Sequence, residues 1–188
     1  ALEEDVQIIC IDWRSLASVW YWCCFNLEAK NSVAVGSWLG RLLVSLVRKT
    51  NLNVDKIHLI GFSLGAHVVG EMGRIFKARS NQQVARVTGL DPAGPLFVQN
   101  TYGLKEHMIG RDSGTFVDII HTNGNFNPSI SSFYYGVLDA LGHADFYVNG
   151  GMTLSATGCN PTTSIFDTNC HHNRPLEYYL NSILGECI

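Results

Sequence analysis

The sequence predicts an α/β fold on a mostly parallel sheet, and three observations carry that prediction. Short apolar runs rich in Val and Ile alternate with longer segments at helical spacing. Several of these runs are almost continuously apolar, as strands buried on both faces are. A length of 188 residues is that of one domain with a sizeable core.

The elements follow in chain order. Residues 6–12 (VQIICID) read as a first buried strand. Val35, Leu39, Leu42, Leu43, Leu46 and Val47 recur at helical spacing, and Arg48 and Lys49 suit a helix C-terminus. Residues 56–60 (KIHLI) read as the next strand, and residues 64–78 as a helix with Ala66, Val69, Met72 and Ile75 or Phe76 along one side. Residues 84–90 (VARVTGL) form a third strand closed by Asp91-Pro92, and residues 116–121 (FVDIIH) a fourth. Residues 123–142 read as a long loop, 144–148 as a short strand, and 174–184 as a last helix with Pro175 at a tolerated early position.

Composition removes several classes of function. At 46% hydrophobic and 15% charged residues, the chain is not a disordered tail. A net charge of −3 without a basic run argues against nucleic acid and against a polybasic membrane anchor. The longest apolar candidate, residues 33–47, is interrupted by Gly36, Ser37, Gly40, Arg41 and Ser45, so no transmembrane segment is expected. The opening Ala-Leu-Glu-Glu-Asp has no signal-peptide pattern. The expectation is a removed leader or a piece of a longer chain.

Six cysteines, at 10, 23, 24, 159, 170 and 187, suit an oxidised, secreted protein. None forms a CxxC. Cys159 and Cys170 enclose a short polar segment and form the natural loop staple. The competing reading is six reduced thiols in a cytosolic enzyme.

In parallel sheets, reactive groups sit beyond the carboxyl ends of the strands. Gly61-Phe62-Ser63-Leu64-Gly65 lies there, between a strand and a helix. GxSxG alone is weak; a serine on a strand-to-helix turn is pushed out on a strained elbow, where Gly61 and Gly65 let backbones pass closely. The Leu64 N–H, at the helix start, is the natural oxyanion donor. A serine nucleophile needs a base, and the base an orienting carboxylate. Asp91 directly follows the next strand. Seven histidines compete for the base. His58 and His67 sit within elements and read as structural, while His121 and His143 flank strands and could line the site. The order Ser…Asp…His favours His171 or His172, which local physics does not separate.

Five blocks, GFSLGAH (61–67), TGLDPAGP (88–95), FVDIIHTNG (116–124), GHADFYVNGG (142–151) and CHHNR (170–174), together with Ile11-Asp12-Trp13, resemble the animal lipase family. The likeness runs in order over nearly the whole chain and implies an α/β-hydrolase fold. It implies a triad of Ser63, Asp91 and His172, because the family histidine lies two positions after a cysteine and two before an arginine. Asp118, the alternative acid, falls in a strand that the family buries.

The departures from the family set further expectations. Members carry an earlier strand and a His-Gly-aromatic turn that gives a second oxyanion N–H. This sequence starts after that point, so residues 1–188 are expected to be one catalytic domain, incomplete at its N-terminus. An N-terminal segment or chain completing it is an expected partner, and Cys23 or Cys24 is expected to lack its own partner. The family lid maps to the Cys159–Cys170 loop, which is short, as in phospholipases A1, with Ile165 and Phe166 as its bulky apolar residues. A short polar lid implies weak interfacial activation. The loop 125–141 is long, as in triacylglycerol lipases, and carries Phe126, Phe133, Tyr134 and Tyr135, which bind acyl chains or pack the loop down. Phe62, Phe133, Ile165 and Phe166 are the candidate substrate contacts. The carboxylates of the structural calcium site of some members are only partly matched, by Glu106 and Asp112, so no metal or other cofactor is expected. The β-sandwich that follows in pancreatic-type members is not expected here, and neither is colipase as a partner.

The expected function is a secreted, phospholipase A1-like ester hydrolase acting on phospholipid or acylglycerol at a lipid interface. Neutral lipase or galactolipase is the alternative. The rival class is a lipase-like storage or lipid-binding protein without catalysis.

Overall fold

Four parallel strands form one sheet in the order β1-β2-β3-β4: His58–Phe62, Arg86–Leu90, Phe116–His121 and Ala144–Tyr147. The structure is a computed structural model that describes residues 6–17, 25–125, 134–152, 158–159 and 168–185. Its α-helices are α1 (Arg14–Ala17), α2 (Phe25–Thr50), α3 (Leu64–Ser80) and α4 (Thr168–Leu184). The register aligns Gly61 with Gly89 and Gly89 with Ile119, so the carboxyl ends of β1, β2 and β3 lie side by side.

One sheet face is apolar. Val87, Val117 and Ile119, with partly buried Leu59, meet Leu43 and Val44 of α2 and Ala66 and Phe76 of α3. A second cluster of Ala29, Phe97, Leu104, Met108 and Val137 continues this core beneath the carboxyl ends. The opposite face is polar at its centre. Arg86 donates to both carboxylate oxygens of Asp118, at 2.9 and 2.6 Å, and Thr88 Oγ1 donates to Asp118 at 2.8 Å. His58 lies 2.7 Å from Thr88 Oγ1, and Tyr179 of α4 meets the His58 ring edge-on. Thus α4 covers the face opposite α2 and α3. Burial would raise the Asp118 carboxyl, but Arg86 and Thr88 hold it below its ordinary value. Asp118 is therefore a structural ion-pair member, as its strand position implied.

Several boundaries differ from the sequence reading. Residues 6–12 form no strand. Val6, Ile8, Ile9 and Ile11 are 71, 83, 69 and 46% exposed, and they pair with neither outer strand, β1 or β4. Apolar content reports a preference for burial and does not by itself supply a ladder partner. The strand expected at 56–60 begins two residues later, because Val54–Lys56 winds into a 3-10 turn capped by Asn53, whose side chain accepts from the Asp55 N–H at 3.0 Å. Helix α3 runs on to Ser80 and stops where Asn81 takes a left-handed conformation. Helix α2 begins ten residues before Val35, its first turns burying Glu28, Ala29 and Ser32.

The largest shift is in α4. It begins at Thr168, so His171 and His172 lie on a helix rather than in a loop. Pro175 is an interior residue of that helix, where its missing N–H leaves one backbone bond unmade without ending it. The Cys159–Cys170 disulfide, with Cα atoms 5.9 Å apart, ties the first turn of α4 to the preceding segment. Among the described residues Cys10 is a free, exposed thiol; Cys23, Cys24 and Cys187 lie outside them.

Candidate active site

Ser63 occupies the junction of β1 and α3 with φ 55° and ψ −123°, a conformation strained for a side-chain-bearing residue. Three backbone bonds impose it: Ser63 N–H donates to the Leu90 carbonyl at 3.0 Å, and the Ser63 carbonyl accepts from Ala66 and Ala93 at 3.1 and 3.3 Å. Gly61 is required by close approach, since a Cβ there would lie 2.1 Å from the Gly65 carbonyl oxygen. Gly65 is not, because a Cβ on it meets nothing within 4 Å. The expectation that both glycines serve close packing therefore holds for Gly61 alone. Leu64, the first helical residue, has an amide with no partner inside its own helix.

Asp91 follows β2 with φ 41° and is fully buried. Its Oδ1 accepts from the Thr122 and Asn123 amides at 2.8 and 3.0 Å, leaving Oδ2 for His172 Nδ1 at 2.5 Å. Both Asp91 carboxylate oxygens are thereby engaged. His172 Nδ1 then carries its proton toward Asp91, and Nε2 presents its lone pair to Ser63 Oγ at 2.8 Å. Phe62 stands beside the His172 ring at a centroid distance of 4.7 Å, and Tyr135 at 5.3 Å. Gly136 backs the acid, since a Cβ there would lie 2.5 Å from Asp91 Oδ1.

The structure thus brings Ser63, Asp91, His172 and Phe62 together, with Leu64 at the helix start. Phe126, Phe133, Ile165 and Phe166 lie outside the described residues. His58, His121 and His143 serve elsewhere: His143 Nδ1 accepts from the Val117 amide at 3.0 Å, and His121 bonds Val137 and Asp145. His67 supports the site from below. Its Nε2 donates to the Ala93 carbonyl at 2.8 Å, its Nδ1 accepts from the Ile109 amide at 3.1 Å, and its ring stacks on Phe97. That pairing demands the neutral ring, and full burial lowers its pKa to about 4. The sequence reading did not find the Thr122 and Asn123 amides or Gly136. Backbone donors have no side-chain signature; the turn residues Thr-Asn-Gly after β3 were the available signal.

Asp112 lies 3.4 Å from Arg74 and Glu106 3.7 Å from His107. Among the described residues no group of three or more His, Cys, Asp or Glu is placed to hold a metal ion.

A serine on a strand-to-helix elbow, with its base and acid supplied from later in the chain, is the arrangement of an α/β-hydrolase. Residues 1–187 match the family model described as Lipase, and the chain belongs to that family. It is 37% identical over 182 residues to pancreatic lipase-related protein 2 of Cavia porcellus, which covers 97% of this chain and 37% of that protein. It is 34% identical over 193 residues to pancreatic triacylglycerol lipase of Myocastor coypus, covering 97% and 39%. Human pancreatic lipase-related protein 2 is 33% identical over 193 residues, covering 97% and 38%. The chain therefore spans less than two-fifths of the length of these relatives.

Proposed function

We propose that the protein hydrolyses carboxylic esters of glycerolipids, with Ser63 as nucleophile, His172 as general base and acid, and Asp91 as the orienting carboxylate. The observation that carries this reading is the unbroken hydrogen-bond chain from Asp91 Oδ2 through His172 to Ser63 Oγ. Ser63 Oγ attacks the ester carbonyl carbon while His172 Nε2 takes its proton. The Leu64 amide stabilises the resulting oxyanion. The intermediate collapses as His172 returns the proton to the leaving glyceryl oxygen, and the acyl group stays esterified to Ser63. Water, deprotonated by His172, then cleaves that ester and frees the fatty acid. This chemistry uses no metal and no organic cofactor.

The substrate proposed first is a phospholipid cleaved in the phospholipase A1 manner, at a lipid surface. The short loop closed by Cys159–Cys170 supports it, since it leaves little chain to cover the site. Triacylglycerol is the second reading, favoured by the triacylglycerol lipases among the relatives. The disulfide supports an extracellular location.

The test measures fatty-acid release from phosphatidylcholine vesicles labelled at one acyl position and from a triacylglycerol emulsion. The expected result is release of the sn-1 acyl chain with kcat/KM higher by about tenfold or more on phospholipid. A reversed ratio favours triacylglycerol. No hydrolysis of either lipid, or of a short-chain chromogenic ester, by folded protein overturns the enzymatic reading.

A further inference from the structure

The molecule contains a second buried histidine–aspartate pair, and it borders the first. His121 closes β3 and is fully buried. Its Nδ1 lies 2.7 Å from the Val137 carbonyl oxygen. A carbonyl can only accept, so Nδ1 carries a hydrogen. Its Nε2 lies 2.9 Å from Asp145 Oδ1. The Asp145 carboxylate also accepts from the Leu141 amide at 2.9 Å and from the Gly142 amide at 3.2 and 3.0 Å. His121 Nε2 thus meets a carboxylate that backbone amides already hold in place. The contrast with His67 is direct: one His67 nitrogen faces an amide donor, whereas both His121 nitrogens face acceptors. Tyr147 stacks on the His121 ring at 4.5 Å with 6° between the planes.

The position of this pair gives it a role. The two residues after His121 supply the amides that hold Asp91 Oδ1. The carbonyl that His121 binds follows Gly136, which abuts the Asp91 carboxylate and donates its own N–H to the Asn123 carbonyl at 3.1 Å. His121 therefore joins three pieces of backbone: the end of β3, the segment behind Asp91, and β4 through Asp145. We propose that His121 is a positioning residue, clamped between Asp145 and the Val137 carbonyl, which fixes the two-amide cradle of the triad acid. The positioning role rests on the triad reading above; the clamp itself does not.

The test begins with the unaltered protein, labelled with 15N-histidine, so that no variant need fold. His121 Nδ1 is expected to carry the ring hydrogen that binds the Val137 carbonyl. A pyridine-type Nδ1 in His121 overturns the proposal. The second step follows the low-field His172 Nδ1 proton, kcat and KM in Asp145→Asn and His121→Gln. The expected result is displacement or loss of that proton signal and a fall in kcat of about 10–100-fold with KM within about twofold, the scale typical for removing a group that orients a functional ligand. An unchanged proton signal and unchanged kcat overturn it. If the unaltered protein shows the His121 Nδ1 hydrogen and the His172 proton but hydrolyses no ester, the catalytic reading fails and the clamp stands. A pyridine-type Nδ1 in an active protein sinks this inference alone.

Discussion

His171 and His172 show how much one residue step decides. Adjacent positions on a helix point about 100° apart, so only one of them can face Asp91. That one is His172, while His171 is 1% exposed within the fold. Replacing His172 with Ala is expected to lower kcat by about 10⁴-fold or more, as loss of a member of such a unit does. Replacing His171 with Ala is expected to lower the denaturation midpoint while kcat stays within about tenfold, since deleted buried groups act mainly on stability. Steady-state kinetics beside urea unfolding separates the two. Equal losses of kcat would undo the assignment. Ser63 and Asp91 were legible in the sequence because each directly follows a strand. His172 was not legible from local chemistry, because the two adjacent candidates are both histidines and the helix start was hidden by Pro175.

At the scale of elements, the site is a meeting of strand ends. β1 presents Ser63, β2 presents Asp91, and the turn after β3 presents the Thr122 and Asn123 amides. The parallel register that sets Gly61 beside Gly89 and Gly89 beside Ile119 makes this alignment possible. The strands were readable from their apolar runs, apart from residues 6–12, where exposure prevails and no partner strand pairs. The segment behind Asp91 was readable only as a loop, because its contribution is made by backbone and by the absence of a side chain at Gly136. That absence is testable. In Gly136→Ala the new Cβ falls 2.5 Å from Asp91 Oδ1, so the carboxylate must move. A displacement on the order of 1 Å at a reacting unit costs about 10²-fold in rate, and kcat is expected to fall by about that factor with the fold retained by circular dichroism. Undiminished kcat would show that the acid tolerates displacement.

At the scale of the whole molecule, stability and site share the same buried groups. His67 is neutral in the fold with its pKa lowered to about 4 from 6.5, so the unfolded chain binds more protons between those values. Its contribution is complete above about pH 6.5 and is lost as pH falls toward 4, a change of about 3 kcal/mol. Asp118, held below 3.8, adds a further loss at still lower pH. Urea midpoints from pH 7 to 4 are expected to fall steadily in the unaltered protein, and less steeply in His67→Gln. A flat profile would contradict the buried neutral assignment.

The central claim is that Ser63, His172 and Asp91 act as one assembled nucleophile. The most direct measurement is intact mass before and after a fluorophosphonate, followed by peptide mapping, on the unaltered protein and on Ser63→Ala. A single adduct on Ser63, absent in the variant and slowed in His172→Ala, is the predicted result. A folded protein that takes no adduct, or takes it equally without His172, would contradict the claim.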